Sequence, residues 1–98
     1  MKEQILEIEK YAKENNVPII EKESICYIMK YIKEHNVNNI LEIGSAIGYS
    51  AILMASSNQP TTVTTIERDE TRYMECLKNI KKCGLDKKIN VVYQDALD

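Results

Sequence analysis

One stretch limits what this chain can become. Asn39 to Ile43 is mostly apolar, reads as a short buried strand, and stops at Gly44. Gly48 then opens a helix that runs to Ser57, with Ile52, Leu53 and Ala55 as its apolar surface. Strand, glycine turn and helix N-terminus together make the nucleotide-binding corner of a doubly wound α/β fold. Gly44 lets the backbone turn tightly, and Gly48 lets a ligand or a strand approach where a Cβ would intrude. The spacing from Glu42 is Glu-x-Gly-x-x-x-Gly rather than Gly-x-Gly-x-x-Gly. It points away from a dinucleotide pyrophosphate.

The rest of the chain supplies what such a corner needs. Lys2 to Asn15 has Ile5, Ile8 and Ala12 on one helical face. Asn15-Asn16-Val17-Pro18 ends that helix, because proline disfavours helix at the residue before it. Val17 to Ile20 is an apolar connector that must pack on something. Ser24 to His35 is a second helix, with Ile25, Ile28, Met29 and Ile32 at helical spacing. Asn58-Gln59-Pro60 is a turn, and Thr62 to Ile66 is β-branched throughout and reads as a second strand. Asp69 can cap the next helix, whose buried stripe is Tyr73, Met74, Leu77 and Ile80; Gly84 closes it. Ile89 to Tyr93 is a third strand. A β-α-β-α-β order implies right-handed crossovers and a parallel sheet, here with the first strand at one edge.

These motifs have a family likeness. Leu41 to Ala51 resembles motif I of the class I S-adenosylmethionine-dependent O-methyltransferases, in the branch similar to catechol and caffeoyl-CoA O-methyltransferases. Thr64-Thr65-Ile66-Glu67-Arg68-Asp69-Glu70 and Tyr93-Gln94-Asp95-Ala96-Leu97 resemble its next two cofactor motifs, in the right order. Glu9-Lys10-Tyr11-Ala12 and Val17-Pro18-Ile19-Ile20-Glu21-Lys22 look like its amino-terminal segment. Within the branch the sequence is most similar to the bacterial tRNA 5-hydroxyuridine methyltransferases. The resemblance implies a Rossmann-like methyltransferase fold with a partial, three-stranded parallel sheet. Residues 1–38 would be amino-terminal helices and 39–98 a cofactor-binding half. It implies a truncated enzyme, inactive alone, with S-adenosylmethionine as cofactor. The complete enzyme would use a divalent metal such as magnesium, with ligands on later strands, so no metal ligand and no catalytic residue are assigned here. The acceptor implied is 5-hydroxyuridine in tRNA; the alternatives are a small catechol or acyl-CoA-linked phenol, and a non-catalytic binding or self-association module.

The expected cofactor residues are Glu42, Gly44, Gly48, Tyr49, Ser50, Glu67, Asp95 and Ala96. Glu67 ends the second strand, where a carboxylate can accept from both ribose hydroxyls; the plain alternative is a solvated loop glutamate. In the resembled family the residue at Asp95 and the next amide, here that of Ala96, meet the adenine edge. Asp95 could equally cap a following helix. The family often has glycine where Gln94 stands, which leaves the backbone there open. Ser50, in the first turn after Gly48, suits the methionine carboxylate or is simply a small residue tolerated there. Glu42 is expected to orient the glycine loop through backbone amides. Tyr49 either lies along the cofactor or packs in the core.

Composition narrows the class further. With 44% apolar residues and a net charge of −2, the 98-residue chain is globular and carries no general nucleic-acid signal. Lys78, Lys81, Lys82, Lys87 and Lys88 form a local basic cluster, either a solvated helix face or a tRNA phosphate contact. Cys26, Cys76 and Cys83 have no metal-ligand spacing and read as reduced, mostly buried thiols of a cytoplasmic protein. His35 can meet the free carbonyls at its helix end. No apolar stretch approaches the ~20 residues needed to cross a bilayer. A first strand without an outer partner would favour a homo-oligomer.

Overall fold

A computed structural model describes residues 1–97. Its elements are α1 (Lys2–Glu14), α2 (Lys22–His35), β1 (Asn39–Ile43), α3 (Tyr49–Ser57), β2 (Thr62–Glu67), α4 (Glu70–Lys82) and β3 (Ile89–Tyr93). The sheet is parallel throughout, in the order β1-β2-β3, with β1 at an edge. The α/β expectation and all three strands hold.

Helix ends follow from local chemistry. Asp69 accepts the Arg72 N–H at 2.8 Å and caps α4. Asn36 ends α2 in the left-handed region, and His35 Nδ1 lies 3.0 Å from the Tyr31 carbonyl, as expected of a histidine at a helix end. Helix α2 starts at Lys22, two residues before the expected Ser24, with Glu21 as its extended N-cap. Gly48 lies outside α3 as its cap, with φ +90°.

Period-two alternation decides what each strand buries. Ile40 and Glu42 on β1 stand in register with Val63 and Thr65 on β2, which stand in register with Ile89 and Val91 on β3. This face packs against α3 and α4, which both contact β2 and β3. The core is Val63 and Ile89 with Ile52, Ala55, Ile80, Cys76 and, from the amino-terminal helices, Ile8, Ala12, Ile25 and Ile32. On the opposite face Leu41 and Ile43 remain 67% and 61% exposed.

Of the stripe expected on α4, Ile80 is buried and Tyr73 half-buried, whereas Met74 and Leu77 are displaced. Cys76, Asn79 and Ile80 are buried, while Met74 and Leu77 are exposed and Tyr73 stacks on Tyr93 at the sheet edge. Tyr73, Met74, Cys76, Leu77 and Ile80 make the apolar side of this helix wider than the part that is buried. Close packing against the glycine turn chose the buried part: a Cβ on Gly48 would lie 3.1 Å from Cys76 Sγ. The group that needs Gly48 bare is therefore a helix side chain, rather than the ligand or strand expected. The Asn79 amide donates to the Ile47 carbonyl at 2.9 Å and fixes the same contact.

Candidate functional site

The glycine turn hangs from the end of β2. The Gly44 and Ser45 N–H groups both donate to the Ile66 carbonyl, at 2.7 and 3.2 Å. Gly44 has φ +87°, and a Cβ there would meet open space rather than protein. Ala46 has φ +49°, an unfavoured conformation for a residue with a side chain. Its N–H donates to Glu67 Oε1 at 2.7 Å, while Glu67 Oε2 accepts from the Asp69 N–H at 3.0 Å. Glu67 is only 6% exposed. It is neither a solvated loop residue nor idle, for it holds the strained turn in place. Orienting the loop through backbone amides was the role expected of Glu42, and Glu67 performs it.

Glu42 does something else. Its Oε2 accepts from the Ser50 hydroxyl, and its Oε1 lies 2.7 Å from Thr65 Oγ1. Thr65 Oγ1 also lies 2.7 Å from Ser45 Oγ. A hydroxyl has one proton and a carboxylate only accepts, so Thr65 donates to Glu42 and accepts from Ser45. Cys76 is fully buried beneath the same turn, against Gly48. Burial first, and then the nearby Glu42 and Glu67 carboxylates, push its thiol up to about 12, so it stays protonated. With Ser50 committed to Glu42, its hydroxyl proton is not pointed at a ligand as expected.

Two cavities flank the turn and share Pro18, Gly44 and Ala46. One, of about 230 Å³, is lined by Glu42, Ser50, Tyr49 and the apolar connector residues Ile19 and Ile20. The other, of about 450 Å³, is lined by Glu67, Arg68, Arg72, Asp95 and Ala96. Together they are in the size range of small-ligand sites, roughly 300–1,000 Å³. Gly48 lines neither, consistent with its packing role. The structure thus brings Glu42, Gly44, Tyr49, Ser50, Glu67, Asp95 and Ala96 to a groove of two adjoining cavities around one turn.

Comparison with known proteins identifies the groove's context. Residues 2–98 match the family described as O-methyltransferase. The chain belongs to that family. A plant relative, a candidate caffeoyl-CoA O-methyltransferase of Arabidopsis thaliana, is 38% identical over 60 residues, 60% of this chain and 26% of the relative. A candidate caffeoyl-CoA O-methyltransferase of Staphylococcus aureus superposes with a TM-score of 0.91 at 36% identity, over 96% of this chain and 45% of that one. An O-methyltransferase of Bacillus cereus, solved in complex with SAH, gives 0.87 at 25% identity, over 98% and 45%. The chain thus spans about a quarter of that curated relative and just under half of these solved ones.

Within this groove several details differ from the sequence reading. Tyr49 is 3% exposed and its hydroxyl donates to Glu9 Oε2 at 2.6 Å, so it packs in the core as well as lining the cavity. Burial, then the Glu9 bond, raise its pKa. Asp95 Oδ1 accepts from the Leu97 N–H at 3.0 Å, and Oδ2 lies 3.7 Å from Arg68 Nη1. Gln94 is absent from the positive-φ residues, so the backbone there needs no glycine. Lys88 leaves the basic cluster: its ammonium donates to the Ala55 and Asn58 carbonyls and closes the C-terminus of α3. Cys26 is exposed, against the expectation of mostly buried thiols.

Sequence reasoning missed Thr65, Ser45, Pro18 and the two arginines. Thr65 was findable, because it sits two residues before Glu67 on the same strand face. Among the described residues no three His, Cys, Asp or Glu side chains converge to hold a metal, and no helix is long and apolar enough to cross a membrane.

Proposed function

We propose that the two-cavity groove binds S-adenosylmethionine and that the chain is the cofactor-binding part of an S-adenosylmethionine-dependent O-methyltransferase. The observation that carries this is Glu67. Each carboxylate oxygen offers about two acceptor sites, and each spends one on a backbone N–H. The remaining acceptors, at the wall of the larger cavity, suit two adjacent ribose hydroxyls. Asp95 and Ala96 line the same cavity and suit an adenine edge. Glu42 gives the smaller cavity a single acidic side chain among mostly apolar walls, which suits a ligand end bearing an ammonium and a sulfonium. The B. cereus relative's complex with SAH supports the same reading.

When bound, the cofactor supplies a methyl group on an electrophilic sulfur. This chain's residues bind and orient it: Gly44 leaves room, Glu67 fixes the ribose end, and the connector at Pro18 excludes water. A divalent ion, implied by the motif resemblance alone, would take its ligands outside this chain. The acceptor we favour is the hydroxyl of 5-hydroxyuridine in tRNA, on the motif resemblance. A small phenolic acceptor is the second reading, supported by the descriptions of the plant and S. aureus relatives. A cytoplasmic, self-associating protein completes the proposal, supported by three free thiols and the exposed edge of β1.

Titration calorimetry with S-adenosylhomocysteine tests the cofactor. Saturable 1:1 binding is expected, and no heat would leave only a non-catalytic interaction module. Methyl transfer by the longer protein to 5-hydroxyuridine-containing tRNA, and not to catechol, is expected for the acceptor; the reverse would favour the phenol.

A further inference from the structure

Of the amino-terminal motifs, Val17-Pro18-Ile19-Ile20 lines the cavities, whereas Glu9-Lys10-Tyr11-Ala12 lines neither. The structure links the two. Residues 15–21, between α1 and α2, cross the front of the groove; Pro18 lines both cavities, and Ile19 and Ile20 line the smaller. Val17, Ile19 and Ile20 pack on the core. Apolar packing keeps this strap on the protein but has no direction. A directional contact exists next to it. Glu9 on α1 accepts from the hydroxyl of Tyr49, the first residue of α3, at 2.6 Å, and its other oxygen lies 3.7 Å from Lys22 Nζ at the start of α2. One carboxylate thus joins the helices on both sides of the strap to the helix that begins at the glycine turn. The lysine arm is largely solvent-exposed and contributes little. The tyrosine arm is short, part-buried and charge-assisted, hence the stronger of the two.

We propose that Glu9 is a positioning residue for cofactor binding: through Tyr49 it fixes the strap at residues 15–21 as the front wall of both cavities. This rests on the reading that the cavities hold S-adenosylmethionine. It assigns the α1 motif a role at a distance, since Glu9 itself lines neither cavity.

The test pairs backbone dynamics with binding in the 98-residue chain. In the wild type, 15N order parameters at Val17, Ile19 and Ile20 should be near 0.85, the rigid-backbone value. In Glu9→Ala and in Tyr49→Phe they should fall toward about 0.6, with Val63 to Ile66 of β2 unchanged. Affinity for S-adenosylhomocysteine should drop about 3- to 10-fold in each, the worth of one hydrogen bond. The double variant should be no worse than either single one, because both remove the same bond. Glu9→Gln keeps an acceptor and should fall between. Unchanged strap order, or a loosened strap with unchanged affinity, would overturn the proposal. Loss of order in β2 as well would overturn it too, since Glu9 would then serve only global stability. A wild type that binds no S-adenosylhomocysteine would overturn the cofactor reading instead, and the order parameters would then decide the clamp alone.

Discussion

At the scale of single residues the site depends on small groups under the glycine turn. Gly48 combines φ +90° with a would-be Cβ 3.1 Å from Cys76 Sγ. Gly48→Ala should therefore destabilise the fold by about 1–3 kcal/mol in urea unfolding, through strain plus overpacking. Adding Cys76→Ala should recover the packing part and leave the backbone part. Cys76 itself gives a pH signature. Its thiol releases a proton near 9.0 when unfolded but near 12 when folded. Below 9 both states hold the proton and nothing is lost. Above 9 the unfolded state binds fewer protons, so stability falls, by about 1.4 kcal/mol per pH unit until the folded thiol also ionises. Urea unfolding at pH 8 and pH 10.5 should show this loss in the wild type, and a smaller loss in Cys76→Ala. Equal losses would mean the thiol is not shielded.

At the scale of elements, the strands were the most legible part. Their apolar and β-branched runs place all three, with β2 reaching one residue further, to Glu67, than expected. Helix α3 was legible from its apolar surface, but Gly48 belongs outside it, since sequence spacing does not distinguish a cap from a first turn. Helix α4 was legible in extent and only in part in facing: Ile80 is buried as expected, but Met74 and Leu77 have as much apolar character as the Cys76 that is buried in their place. Glu67 and Asp95 were legible as groove residues from their strand ends. Glu42 was legible as important and misassigned in partner, because its hydroxyl neighbours Thr65 and Ser50 come from other elements that sequence distance hides. Lys88 shows the same effect. Read with four other lysines it belongs to a basic cluster; folded, it closes the last turn of α3. Lys88→Met should cost about 1–2 kcal/mol by leaving two part-buried carbonyls without a donor, whereas Lys78→Met, on the exposed face of α4, should be near neutral. Thermal unfolding of the two variants checks the contrast.

At the scale of the molecule, one side is finished and the other is not. The helices cover the face bearing Ile40, Val63 and Ile89, while Leu41 and Ile43 stand open on an edge strand with one partner. Unpaired strand groups and exposed apolar surface favour pairing with another chain. Sedimentation at low micromolar concentration should show a dimer or larger species; Leu41→Lys should shift it toward monomer. A monomeric, well-folded wild type would refute this.

The groove, however, is the centre of the account, and an NMR titration tests it most directly. On addition of S-adenosylhomocysteine to 15N-labelled chain, the amides of Gly44, Ala46, Glu67 and Ala96 should shift together along one saturation curve. Those of Lys78 and Lys82, on the exposed side of α4, should stay in place. The Glu67→Ala variant should bind at least about 10-fold more weakly, having lost both the ribose acceptor and the bond that holds Ala46. Shifts confined to other surfaces, or none at all at millimolar ligand, would contradict the assignment of this groove to S-adenosylmethionine.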